Sequence, residues 1–176
     1  MSMKSSSTRY GTTAITIHWA SALCVILAFA AGLVMDNSAE IPPTLLISHI
    51  VLGVAVLVLT LLRILWWIVA DRHPAPPSGQ PRWQAGAARL VHGLLYVILI
   101  LMATSGIATV IASGAIPLLA SGGAVPDFDG LVPRLAHGVM SKILLGLFVI
   151  HLGAALYHQF IRRDRLLARM GLGPAS

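Results

Sequence analysis

The chain has 176 residues, of which 57% are hydrophobic and only 10% charged, and its mean hydropathy is +0.85. A soluble domain carries about a quarter charged residues, so the composition excludes an ordinary soluble domain and fits a protein built into a membrane. The net charge of +6 does not mark a nucleic-acid binder, because the cations are segregated along the chain rather than spread over one surface.

Four apolar stretches follow one another, at residues 14–35, 45–70, 88–112 and 134–160. Each is long enough to cross a hydrocarbon core about 30 Å thick at a rise of about 1.5 Å per residue. The expected architecture is an all-α bundle of four transmembrane helices, with residues 1–176 forming one membrane domain and no soluble one. Span one carries His18 about one turn from its start, and the single cysteine, Cys24. One cysteine allows no internal disulfide and no CxxCH haem attachment, and Cys24 reads as a small core residue. Ala28-Phe29-Ala30 superficially resembles a signal-peptidase site. The apolar run continues past it, however, so no cleavage is expected.

A short loop with Pro42 and Pro43 leads into span two, which carries His49 near its start and Arg63 near its end. Residues 71–87 form a Pro-rich connection around His73-Pro74-Ala75-Pro76-Pro77, an extended and semi-rigid segment in which His73 is expected to be solvated. Span three carries His92. The loop of about twenty residues from Ser113 to Pro133 is rich in Gly, Pro, Ser and Asp and shows no helical or strand period. It is placed to lie over the mouth of a site. Span four carries His137, Lys142 and His151, and His158 follows at its end.

With four spans, the N-terminal tail, the second connection and the C-terminal tail share one side of the membrane. Those segments hold Lys4, Arg9, Arg72, Arg82, Arg89, Arg162, Arg163, Arg165 and Arg169. The opposite connections hold Asp36, Glu40, Asp127 and Asp129, with Arg134 as the clear cation. The positive-inside rule therefore expects both termini in the cytoplasm, with the basic tail able to touch anionic lipid.

His137 and His151 are fourteen residues apart, about 40° short of four full helical turns. Both rings leave one helix face, about 21 Å apart along the axis. Depth pairs His49 with His137 on the outer side, and either His18 or His92 with His151 on the inner side. Intramembrane histidines are costly and need partners, which makes them functional candidates. Zinc or copper normally recruits a third or fourth ligand, and no intramembrane carboxylate is offered. Haem iron needs only two axial ligands from protein, so two bis-histidine haems passing electrons are the economical reading. Arg63, fourteen residues after His49, reaches the inner end on nearly the same face, where haem propionates need cations. His158, seven residues after His151, is a candidate for a quinone site, because quinone reduction takes up protons with its electrons. Lys142 lies off the ligand face, snorkelling outward or lining an outer pocket. Gly32, Gly53, Gly93, Gly106, Gly138, Gly146 and Gly153 offer close approach of helices or of a flat porphyrin.

Four segments together resemble the bacterial cytochrome b561 family: Tyr10-Gly-Thr-Thr-Ala-Ile-Thr-Ile-His18-Trp19; Arg63-Ile-Leu-Trp66 with His73-Pro-Ala-Pro-Pro77; Leu90-Val-His92-Gly-Leu-Leu-Tyr96; and His151-Leu-Gly-Ala-Ala-Leu-Tyr157-His158-Gln-Phe-Ile-Arg-Arg163-Asp164. The resemblance spans nearly the whole chain. It implies a di-haem b inner-membrane protein exchanging electrons with ubiquinone, one branch of which is a superoxide oxidase. It also implies His18 with His151 as one axial pair and His49 with His137 as the other. Trp67 stands where such proteins often carry a second arginine, and Gly138 where an acidic residue is common. The expected reaction is electron transfer from superoxide to ubiquinone. The runner-up is a cytochrome subunit linking a partner dehydrogenase or hydrogenase to the quinone pool, and a haem-free metal transporter is the remote alternative.

Overall fold

The computed structural model describes residues 2–76 and 79–173, so Pro77 of the Pro-rich motif lies outside the described residues. Four helices are long and apolar enough to cross a membrane, and the described residues contain no strand. Helix α1 runs Thr12–Asp36, α2 Pro43–Val69, α3 Arg82–Ala112, and α5 Val132–Leu156. A short α4, Ala115–Ala120, sits in the long loop, and after α5 a π-helical turn, Tyr157–Arg162, precedes α6, Leu166–Arg169. The chain is a multi-pass membrane protein. Its largest interhelical contacts are α1 on α2 and α3 on α5, with α2 joining the two pairs through α3.

Local chemistry sets the helix starts. Pro42 and Pro43 begin α2 and Pro81 precedes α3, because a proline in the first turn forfeits only an N–H that has no helical partner. Helix α3 therefore starts at Arg82, six residues before the apolar window expected at 88. Its first turns contain Arg82, Gln84, Gly86 and Arg89, which dilute hydropathy without opposing a helix. The loop at residues 113–133 differs from its expected lack of structure. Gly114, in a left-handed conformation (φ 66°), ends α3 and lets Ala115–Ala120 form one further helical turn with Pro117 near its start.

The described segments before α1 and after α5 and the α2–α3 connection meet at one end of the bundle, the terminal end; the α1–α2 and α3–α5 connections form the loop end. The terminal end is laced by polar contacts. Asp71 accepts from the Ser5 backbone and hydroxyl at 3.0 and 2.8 Å, and from Trp66 Nε1 at 3.1 Å. Partial desolvation opposes the charge on Asp71, but these hydrogen bonds, with one from the Arg72 N–H, hold its carboxyl below the ordinary aspartate value. Arg169 donates to the carbonyls of Thr8 at 2.7 Å and Ala75 at 2.6 Å, and Trp19 Nε1 donates to that of Met170 at 2.9 Å. At the loop end, Arg134 pairs with Asp36 at 3.2 Å in an exposed ion pair.

Candidate functional site

Two pairs of histidine rings face each other at different depths. The His49 and His137 ring centroids are 6.0 Å apart, toward the loop end, and those of His18 and His151 are 6.2 Å apart, toward the terminal end. Two metal–imidazole bonds of about 2 Å, with the half-widths of two rings, reach about 6 Å. Each pair thus has the separation at which one metal ion takes a nitrogen from both rings.

The loop-end pair is held in the tautomer that ligation requires. His49 Nδ1–H donates to the Ala28 carbonyl at 2.9 Å and His137 Nδ1–H to the Met102 carbonyl at 3.0 Å. Such bonds fix each ring and leave Nε2 with its lone pair free, the arrangement usual behind a metal-bound imidazole. Two glycines make room for these rings. A Cβ on Gly106 would stand 3.0 Å from His137 Cε1, and one on Gly32 would stand 3.3 Å from His49 Cε1. Of the other glycines in the spans, Gly138 would meet Arg134 Nη1 at 3.4 Å, whereas Gly53, Gly93, Gly146 and Gly153 would meet nothing within 4 Å. Close approach is thus required chiefly beneath the two histidines.

At the terminal end, Arg63 Nη1 donates to His18 Nδ1 at 2.8 Å, which puts the ring's single proton on Nε2. In that form Nδ1 carries the ring's lone pair, and Arg63 occupies it. His92 is also here, its ring 5.1 Å from that of His151 and its Nδ1–H donated to the Ala88 carbonyl at 2.6 Å. The Arg63 guanidinium lies over the Tyr96 ring at 5.9 Å, and Arg63 Nε and Trp67 Nε1 are buried without a hydrogen-bond partner among the described residues.

His73 lies exposed in a loop, as expected, and in addition stacks on Trp67 with centroids 3.9 Å apart, while Tyr10 meets the same indole edge-on at 6.0 Å. A planar imidazole laid on a half-buried indole removes apolar surface from water, which the loop composition does not reveal. Partial burial, then the neighbouring Arg63, holds His73 below the ordinary histidine value, whereas burial pushes the Tyr10 hydroxyl up against the opposing cations Arg169 and Arg63.

His158 is buried, and its Nδ1–H donates to Asp164 Oδ2 at 2.6 Å. The sequence reading missed Asp164, because six residues at about 100° each put it on another face of a regular helix. The wider π-helical turn and Arg163 in a left-handed conformation (φ 56°) fold the chain back to make the pair. At the loop end, Lys142 and Arg134 line an open groove of about 420 Å³ with Phe128 and Gly138.

Among the described residues, no set of three or more His, Cys, Asp or Glu side chains is arranged to hold a metal ion. Two imidazoles are too few for an ordinary zinc or copper site but suffice for an iron already held by four porphyrin nitrogens.

Comparison with known proteins agrees. The family model described as prokaryotic cytochrome b561 matches residues 9–173. The chain belongs to the cytochrome b561 family. Its members bind haem b, and the chain is a membrane electron-transfer protein of this kind. It is 32% identical to cytochrome b561 homolog 2 of Escherichia coli (strain K12), over 100% of the chain and 97% of that protein. It is 31% identical to cytochrome b562 of Cereibacter sphaeroides, over 89% of the chain and 90% of the relative. A protein of Yersinia pestis named probable superoxide oxidase CybB is 29% identical, over 92% of the chain and 95% of the relative.

Proposed function

We propose that the chain is a di-haem b cytochrome of the bacterial inner membrane that carries electrons across the bilayer from superoxide to ubiquinone. The observation that carries the reading is the two facing histidine pairs, 6.0 and 6.2 Å between ring centroids, at opposite ends of α5. His49 and His137 would hold the loop-end haem; His18 and His151 would hold the terminal-end one, with Arg63 released to its propionates. Held by these residues, haem b would supply a one-electron couple suited to electron transfer. The charge asymmetry between the ends supports a cytoplasmic location for both termini.

The chain's own groups supply the rest. At the loop end, Arg134 and Lys142 line the groove beside Asp129, and with Arg134 also paired to Asp36, Lys142 is the cation left to meet a small anion. At the terminal end, Asp164 fixes the His158 ring through Nδ1 and leaves Nε2 free to take up a proton from water and hand it to a quinone oxygen. Two superoxide anions each give up one electron and leave as dioxygen; ubiquinone gains those two electrons and two protons. The superoxide assignment draws support from the relative named probable superoxide oxidase.

The test is to supply purified protein with enzymatically generated superoxide and a soluble ubiquinone analogue. Ubiquinol formation that superoxide dismutase abolishes is the expected result. No ubiquinol, together with a dehydrogenase or hydrogenase that co-purifies and reduces the haems, would replace this reading with that of a quinone-linked subunit.

A further inference from the structure

The terminal end of α2 carries two buried donors that no group among the described residues satisfies: Arg63 Nε and, one helical turn later, Trp67 Nε1. Of the other indoles at this end, Trp66 donates to Asp71 and Trp19 to the Met170 carbonyl, while Trp83 is exposed. Trp67 is also fixed in place, sandwiched between the stacked His73 ring and the edge of Tyr10. A clamped indole with an unpaired buried N–H is costly unless something outside the chain accepts it.

The chain's carboxylates do not fill that role. It has six. Asp36, Glu40, Asp127 and Asp129 belong to the loop-end connections, Asp71 is committed to Ser5 and Trp66, and Asp164 bonds His158 through Oδ2; Asp164 Oδ1 and the amide oxygens of Gln84 and Gln159 are buried too, but none of them accepts from Arg63 or Trp67. An arginine N–H and an indole N–H one turn apart on one helix match an acceptor with two oxygens.

We propose that Trp67 Nε1–H, together with Arg63, holds a propionate carboxylate of the terminal-end haem, and that Trp67 serves as its neutral anchor. This rests on the haem reading above. An indole donates a hydrogen bond without adding charge, so it stabilises the ionised carboxylate while leaving the local charge balance to Arg63 alone. Removing the N–H leaves the carboxylate's charge less compensated beside the iron, which favours the ferric state. Adding a cation there does the opposite.

The experiment is a potentiometric titration of both haems, followed by absorbance, in the parent, Trp67→Phe and Trp67→Arg. Phe keeps the stack with His73 and Tyr10 and loses only the donor. At a fixed potential, the ferrous-to-ferric ratio of the terminal-end haem should fall about threefold in W67F, about 28 mV for a one-electron couple. It should rise in W67R, and the loop-end haem should not move in either variant. Unchanged potentials in W67F with both haems bound would overturn the proposal, since the N–H would then be merely hydrated. Should W67F lose the terminal-end haem, Trp67→Gln decides: retention with a restored donor supports the anchor, and loss in both shows that the aromatic stack alone matters. A parent protein with no terminal-end haem would refute the haem reading itself.

Discussion

Gly106 offers the sharpest structural test of the loop-end pair. Replacing it with alanine puts a methyl carbon 3.0 Å from His137 Cε1 and 3.2 Å from Nδ1, against ordinary contacts of 3.4–4 Å. The ring must retreat by about 0.4 Å or α3 must part from α5. Retreat is resisted, because Nδ1–H is tethered to the Met102 carbonyl at 3.0 Å and such bonds weaken beyond about 3.2 Å. Overpacking costs about 1–3 kcal/mol, and losing the tether adds about 1 kcal/mol. At about 1.4 kcal/mol per tenfold, haem affinity at this pair should fall by one to three decades. Gly32→Ala, with its contact at 3.3 Å, should lose less. Gly86→Ala, with nothing within 4 Å, should be neutral or gain up to about 1 kcal/mol from helix propensity. The assay is haem bound per chain at graded haem concentrations, with the low-spin spectrum recorded. If G106A binds loop-end haem as the parent does, or G86A is equally damaging, the close-approach argument fails.

Asp71→Asn should lower the thermal midpoint of the detergent-solubilised protein by a few degrees at pH 7, on the order of one net hydrogen bond. Because the folded pKa of Asp71 is depressed, its contribution is present above the unfolded value of 3.8 and lost as the pH falls through the lower folded one. The gap between D71N and parent should therefore close at low pH; a gap that persists there would contradict the assignment. Asp36→Asn removes a solvent-exposed ion pair and should change stability by no more than about 0.5 kcal/mol, less in high salt, as read by denaturation at two ionic strengths. His158→Ala should slow ubiquinone reduction about 100-fold with haem content unchanged. Asp164→Asn should slow it less, and loss of haem in either variant would point to a structural role.

The four spans were legible because a membrane segment announces itself by length and hydropathy, and each carries one or more histidines whose depth follows from position alone. The separation of His137 and His151 along one helix face could be counted without a structure. Depth did not distinguish His18 from His92 as the partner of His151, and the structure brings both rings near it, at 6.2 and 5.1 Å. Other features depend on departures from regular geometry. The Asp164 contact needs a π-helical turn and a left-handed arginine, and the short α4 follows a left-handed Gly114 with too few residues to show a period. The stack of His73 on Trp67 joins a loop to a helix end, and no local pattern encodes such a meeting. Seven intramembrane glycines looked alike in sequence, yet Gly106 and Gly32 alone lie directly beneath paired histidines, a distinction that exists only once the helices are packed.

The central claim is two haems held by two separate histidine pairs, and haem quantified per chain tests it directly in the parent, His49→Ala and His151→Ala. The account predicts two haems in the parent and one in each variant, with the two variants losing spectrally different haems. A single haem in the parent, or unchanged content in either variant, would contradict it.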